Sequence, residues 1–193
     1  MTNESNSTDS TIPIYTIGYG QRTMDEFIDL LTRYEIAFLV DVRTAPYSRY
    51  KPEYSKTELE LTLREAGIRY IFLGNSLGGR PDAPDCYRNG KIDYEAVKTK
   101  GFYQKGLERV HAAFAQQQRI VLMCSEGKPE MCHRSKLIGA SLTQANVPVI
   151  HIDENDDPQE QDEIIFRLTK GQLSLFGEEE FTSRKKYRGA QDG

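Results

Sequence analysis

Five short apolar runs alternate with segments of helical periodicity along this chain: Ile12–Ile17, Ile36–Val42, Ile68–Leu73, Arg119–Met123 and Val147–Ile152. Runs of that length and β-branched content read as buried strands. Between them, Thr23 with Glu26 is a capping-box pair, and Phe27, Leu30, Leu31 and Tyr34 follow at helical spacing. Ser55 with Glu58 repeats the pair and opens a helix that stops near Gly67. Asp93 is placed to cap a helix running through Gln118, interrupted around Gly101 and Gly106. Pro129–Gln144 reads as a helix with proline in its first turn, and a last helix spans Gln159–Lys170. The alternation predicts an α/β fold: a single three-layer domain with a mainly parallel sheet of about five strands and helices on both faces.

The chain has 193 residues, enough for one domain with tails. The reading is a disordered N-terminal tail over 1–11, an α/β domain over 12–152, an acidic linker and terminal helix over 153–170, and a C-terminal tail over 171–193. Asp153–Glu163 holds seven acids and no base; without them the formal charge of −4 becomes +3. That stretch reads as a solvated linker or helix start, with competition against an anionic ligand as the other reading. No run approaches the ~18 apolar residues of a membrane span. The polar start lacks a signal-peptide pattern, and three cysteines are too few for a disulfide framework. A cytoplasmic setting without membrane contact is the expectation.

In a parallel sheet, ligands bind beyond the carboxyl ends of the strands. The unusual residues of this sequence fall there: Gly18-Tyr19-Gly20, Asp41-Val42-Arg43, and Cys124-Ser125-Glu126-Gly127-Lys128-Pro129-Glu130-Met131-Cys132-His133-Arg134. The last segment runs strand, tight loop, helix. A helix start favours an anion and a cysteine thiolate. Four readings stay open: small buried cysteines; a catalytic or anion-binding pocket; a Cys124–Cys132 redox pair; a metal site. In the pocket reading Arg43 and Arg134 bind phosphate, Glu126 is an acid/base and Cys124 a nucleophile, with Tyr19, Arg49, Lys128, Cys132 and His133 around the ligand. The expectation is no metal, because Cys-x7-Cys-His completes no four-ligand set and neighbours on a helix point about 100° apart. No cofactor motif is present: Thr23 replaces the third glycine of a dinucleotide fingerprint. Glu130 stands where a tyrosine phosphatase needs arginine. Tyr47–Tyr54 interleaves aromatics and cations, as nucleotide-stacking loops do and as ordinary exposed loops also do. His111 and His151 read as structural.

Thr16-Ile17-Gly18-Tyr19-Gly20, Asp41-Val42-Arg43 with Pro46 and Arg49, Leu77-Gly78-Gly79, and Cys124-x-Glu126-x-x-Pro129-x-x-Cys132-His133-Arg134 together resemble the family catalogued as domain of unknown function 488, over about residues 13–152. The resemblance implies an α/β domain whose signature residues gather at the strand ends. It implies no reaction.

Gln172-Leu173-Ser174-Leu175-Phe176 is similar to the peptide by which bacterial replication and repair proteins dock on the DNA sliding clamp. In that mode Leu175 and Phe176 fill an apolar pocket while Gln172 contacts its rim and Leu173 spans between them. The other reading makes the segment a terminal strand covering the domain. The Arg184–Arg188 cluster suits DNA phosphates or a solvated tail equally. The leading expectation is a bacterial protein of DNA maintenance, in replication or repair, which docks on the clamp and binds a nucleotide or nucleic-acid group in a Cys/Arg pocket. The alternatives are a thiol-based redox protein or small-molecule sulfur or phosphate enzyme without a DNA role, and a pure adaptor.

Overall fold

The computed structural model describes residues 11–171 and 181–187. Ten of the eleven residues assigned to the N-terminal tail, and the whole Gln172–Phe176 motif, lie outside them. In chain order the elements are β1 (Ile14–Gly18), α1 (Met24–Arg33), β2 (Phe38–Asp41), α2 (Lys56–Glu65), β3 (Arg69–Phe72), α3 (Gly74–Leu77), β4 (Tyr87–Arg88), β5 (Lys91–Ile92), α4 (Tyr94–Lys98), α5 (Gly101–Ala115), β6 (Ile120–Cys124), α6 (Ala140–Gln144), β7 (Val149–Ile152), β8 (Pro158–Glu160) and α7 (Gln161–Leu168). The main sheet has the order β3-β2-β6-β1-β7-β8, with β8 its one antiparallel member. All five sequence-assigned strands are present, and the fold is the expected α/β.

The alternation of side chains along β6 builds the three layers. Ile120, Leu122 and Cys124 face one core with α5 and α6, while Val121 and Met123 face the other with α1 and α2. Loops after β1 and β2 therefore leave toward one face, and the loop after β6 toward the other. A crevice opens between them at the carboxyl edge.

The Thr23–Glu26 capping box forms as read: Glu26 N–H donates to Thr23 Oγ1 (3.3 Å) and Thr23 N–H to Glu26 Oε2 (2.7 Å). Asp93 caps α4, accepting from the N–H groups of Glu95 and Ala96. Elsewhere the structure corrects the reading. Ser55 stands at the N-cap of α2 without capping it, because its hydroxyl is engaged with the backbone of Ser48. Gly74–Asp93 is not one loop but holds α3, a short 3-10 turn and the β4–β5 hairpin. Pro129–Gln144 is not one helix. A 3-10 turn, Pro129–Met131, is followed by extended backbone at Cys132, a π-helical stretch, Arg134–Gly139, and then α6. The acidic stretch is only partly linker. Asp153 closes a turn by accepting from the N–H groups of Asn155 and Asp157, Asp156 pairs with Arg22, and 158–160 add β8 to the sheet edge. Part of the tail also returns to the body. Ser183 N–H donates to Ile92 O (3.0 Å), Ile92 N–H to Ser183 Oγ (2.9 Å) and Tyr187 N–H to Gly90 O (2.6 Å).

His151 is structural, as read. Thr16 Oγ1 donates to its Nδ1 (2.6 Å), and its Nε2–H donates to Gln161 Oε1 (2.5 Å). Burial, seconded by the charge of Arg134, pulls its pKa from 6.5 down to about 3. The unfolded chain therefore binds a proton near pH 6.5 that the folded chain refuses until about pH 3. Stability falls as pH drops through that window, by an amount on the order of a few kcal/mol. Thermal unfolding across pH should show His151→Gln with a shallower acid decline than the parent; equal slopes would assign the decline to other groups.

Candidate active site

Cys124 ends β6 directly opposite Gly18 of β1 in the parallel register. The loop that follows presses on that glycine: a Cβ at Gly18 would overlap the carbonyl of Glu126. Tyr19 N–H donates to Cys124 O and Gly20 N–H to Ser125 O, both at 3.1 Å, and Gly20 takes a positive φ of 50°. The Gly-Tyr-Gly signature is thus the bed on which the cysteine loop lies.

Arg134 holds that loop from beneath. It is fully buried, and its Nη2 donates to Gly127 O at 2.6 Å. Its Nε and Nη1 have no hydrogen-bond partner among the described residues. Ser135 Oγ donates to Pro129 O (2.7 Å) and fastens the 3-10 turn. Between these fixed points the extended backbone at Cys132 turns adjacent side chains onto one spot. The reactive atoms of Cys124, Cys132 and His133 lie within 4.8 Å of one another, and Cys132 Sγ is 3.5 Å from His133 Nδ1. The helical argument against such convergence does not apply, because Cys132 is extended and His133 only opens the π-helical stretch. His133 Nε2–H donates to Val42 O at 3.2 Å, which leaves Nδ1 as the ring nitrogen facing the sulfurs. Gly79 leaves no room for a side chain against that ring, which accounts for the second glycine of Leu77-Gly78-Gly79.

These three residues form part of the wall of a cleft of about 430 Å³. Tyr19, Arg43 and Glu126 also line it. Other expected residues lie elsewhere. Arg134 is behind the cysteines rather than on the wall. Arg49 is exposed on the loop after β2 and does not line the cleft. Lys128 faces a neighbouring groove, 3.3 Å from Glu154. Arg43 reaches the cleft with its charge already matched. Its Nε and Nη2 donate to the buried carboxylate of Asp41, which also accepts from Tyr70 Oη (2.8 Å), and its Nη1 donates to Tyr54 O (2.8 Å). The cations on the outer wall are instead Arg80, Arg184 and Lys185. The last two belong to the returning segment 181–187, which the sequence pattern alone assigns to the tail. Phe181, just ahead of the basic cluster, and Tyr187 within it were the available signal: both pack against the core.

The electrostatics separate the two thiols. The Cys132 thiol donating to Cys124 lowers the latter's pKa well below the ordinary thiol value against the cost of burial, with His133 and Arg134 adding to the effect. Burial, together with Cys124 as neighbour, pushes Cys132 well up. Cys86, the third cysteine, is raised by burial and lies outside the cleft lining.

The family described as Domain of unknown function DUF488 matches residues 23–140. The chain belongs to this family. The DUF488 match contains Asp41-Val42-Arg43, Leu77-Gly78-Gly79 and the whole Cys124–Arg134 segment, whereas Gly18-Tyr19-Gly20 precedes it. No curated protein and no solved structure matches the chain.

Iodoacetamide at neutral pH should modify Cys124 ahead of Cys86 and Cys132, with a pH midpoint below that of an ordinary thiol. Cys132→Ala removes the S–H donor and should move the midpoint up. Peptide mass mapping reads both; first modification at Cys86, or an unmoved midpoint, would contradict the assignment.

Proposed function

We propose that this DUF488 chain is a thiol-dependent enzyme acting on a small anionic molecule, of nucleotide size, held in the Cys124 cleft. The observation that carries the reading is the convergence of a nucleophile, Cys124, and a ring nitrogen able to accept its proton, His133 Nδ1, on a cleft whose outer wall bears Arg80, Arg184 and Lys185. The cleft volume falls in the range of small-molecule sites. Tyr19, Tyr47, Tyr87 and Tyr187 supply aromatic faces. In the reaction, the Cys124 proton passes to His133 Nδ1. The thiolate forms a bond to an electrophilic atom of the ligand, the bond to the leaving group breaks with its electron pair, and the imidazolium returns the proton to that group. Glu126, at the mouth and 3.9 Å from Arg184, is the second acid/base. Arg43 and Arg134 act here as buried supports of the walls.

The charge of the cleft can be tested without knowing the substrate. Cys124 should react faster with anionic iodoacetate than with neutral iodoacetamide, relative to a free thiol. Arg80→Ala with Arg184→Ala should cut that preference by roughly tenfold. A ratio equal to that of a free thiol would sink the anionic-ligand reading.

The clamp-docking reading rests on the sequence Gln172–Phe176, and with it stands the proposed link to DNA replication and repair. Gly171 and Phe181 are both placed on the body, so the motif belongs to a connection of nine residues, 172–180, between two fixed points. The full chain should bind a bacterial sliding clamp. Leu175→Ala with Phe176→Ala should weaken binding on the order of a hundredfold and leave thermal unfolding unchanged. Unchanged affinity with a melting temperature several degrees lower would make the segment a core contact instead.

A further inference from the structure

We infer that Cys124, Cys132 and His133 also form a binding site for a thiophilic divalent cation of the zinc type, with three protein ligands and a fourth position open to the cleft. The ligand atoms are Cys124 Sγ, Cys132 Sγ and His133 Nδ1, all within 4.8 Å of one another. In a tetrahedral site, Zn–S of about 2.3 Å and Zn–N of about 2.0–2.1 Å put sulfur and nitrogen about 3.5 Å apart. Cys132 Sγ and His133 Nδ1 already stand at 3.5 Å.

The surroundings are those of a ligand set held in advance. A metal-binding histidine commonly donates its other N–H to a carbonyl, which fixes the tautomer. His133 does so to Val42 O at the end of β2. Gly79 packs against the ring, and the backbone N–H of Arg134 points at Cys132 Sγ. Two thiolates cancel the charge of the ion, so the buried Arg134 faces a neutral centre rather than a dication. Binding releases the two thiol protons and needs no oxidant or reductant. Because all three residues line the cleft, water or a ligand atom completes the coordination. An open position of this kind distinguishes accessible sites from closed structural ones, so folding without metal is compatible with it.

The site shares its atoms with the proposed nucleophile but does not depend on catalysis by it. Occupancy ties up the Cys124 sulfur, so the ion and an alkylating reagent compete.

Cobalt(II) is the probe. Full-length chain, stripped with a chelator and kept reduced, should take up one cobalt ion per chain. It should show thiolate-to-cobalt charge transfer and the intense visible bands of a tetrahedral ion. Cys132→Ala should lose about half the charge-transfer intensity and weaken binding on the order of a hundredfold, while Cys86→Ala changes neither. Zinc should displace the cobalt and protect Cys124 from iodoacetamide. Absence of charge transfer in the parent chain, or a band that survives Cys132→Ala undiminished, would overturn the site. The two claims separate cleanly. Fast alkylation of Cys124 without a cobalt band keeps the enzyme reading and removes the metal; a cobalt band with an inert Cys124 does the reverse.

Discussion

Among the described residues Arg134 is the largest side chain wholly withdrawn from solvent, and the Cys124–His133 loop is draped over it. A guanidinium in that position is costly unless charge or carbonyl oxygens surround it. Gly127 O supplies one partner, and the two sulfurs supply compensating charge when ionised. The dependence runs both ways. The cation favours a thiolate at Cys124, and the loop keeps its shape because it closes over the cation. Removal of Arg134 would leave a cavity and a freed loop at once, so its role is tied to the thiols without contact with the cleft.

A second buried charge stabilises the adjacent wall. Asp41, with no exposure, is held by Arg43 and Tyr70, and Arg43 continues to the backbone of Tyr54. Tyr54 in turn stacks on Tyr19 at 4.3 Å. The carboxyl ends of β1 and β2, and Tyr70 of β3, are thereby joined to the loop that precedes α2. Val42 O, just beyond Asp41, orients His133 from the same strand. Thus β2 fixes the imidazole, β6 fixes Cys124, and β1 fixes the loop between Cys124 and Cys132. The site belongs to three neighbouring strands of the sheet rather than to a flexible loop.

β6 was the most legible strand because it is buried on both faces and reads as an unbroken apolar run, whereas the edge strand β3 is only half-buried and carries Arg69. The Thr23 cap and the gathering of Cys124, Glu126, Arg43 and Tyr19 at one sheet edge follow from local pattern plus the rule for parallel sheets. The failures are equally local in origin. Ser55 carries a capping signature, but tertiary contact with Ser48 takes its hydroxyl. Helical propensity over 129–144 concealed the extended step at Cys132, which goes with the burial of Arg134 and with the Ser135 hydroxyl bonding back to Pro129 O and Cys132 O. That step is what brings Cys132 and His133 onto one point. The returning segment at Ser183 depends on pairing with Ile92, some ninety residues away, and Phe181 and Tyr187 are its only local trace. Arg43 reads as a ligand-binding cation in the sequence because sequence shows its charge but not the buried Asp41 that neutralises it, and the complete burial of Arg134 is equally invisible there.

The central claim is that two sulfurs from separate segments meet at the floor of the cleft. A trivalent arsenical such as phenylarsine oxide tests it directly, because one arsenic must bond two adjacent thiolates to bind tightly. The account predicts one arsenical per chain, bridging Cys124 and Cys132 by mass mapping, lost on Cys124→Ala or Cys132→Ala and retained on Cys86→Ala. Failure of the reduced chain to bind the arsenical, or binding that persists in Cys132→Ala, would contradict it.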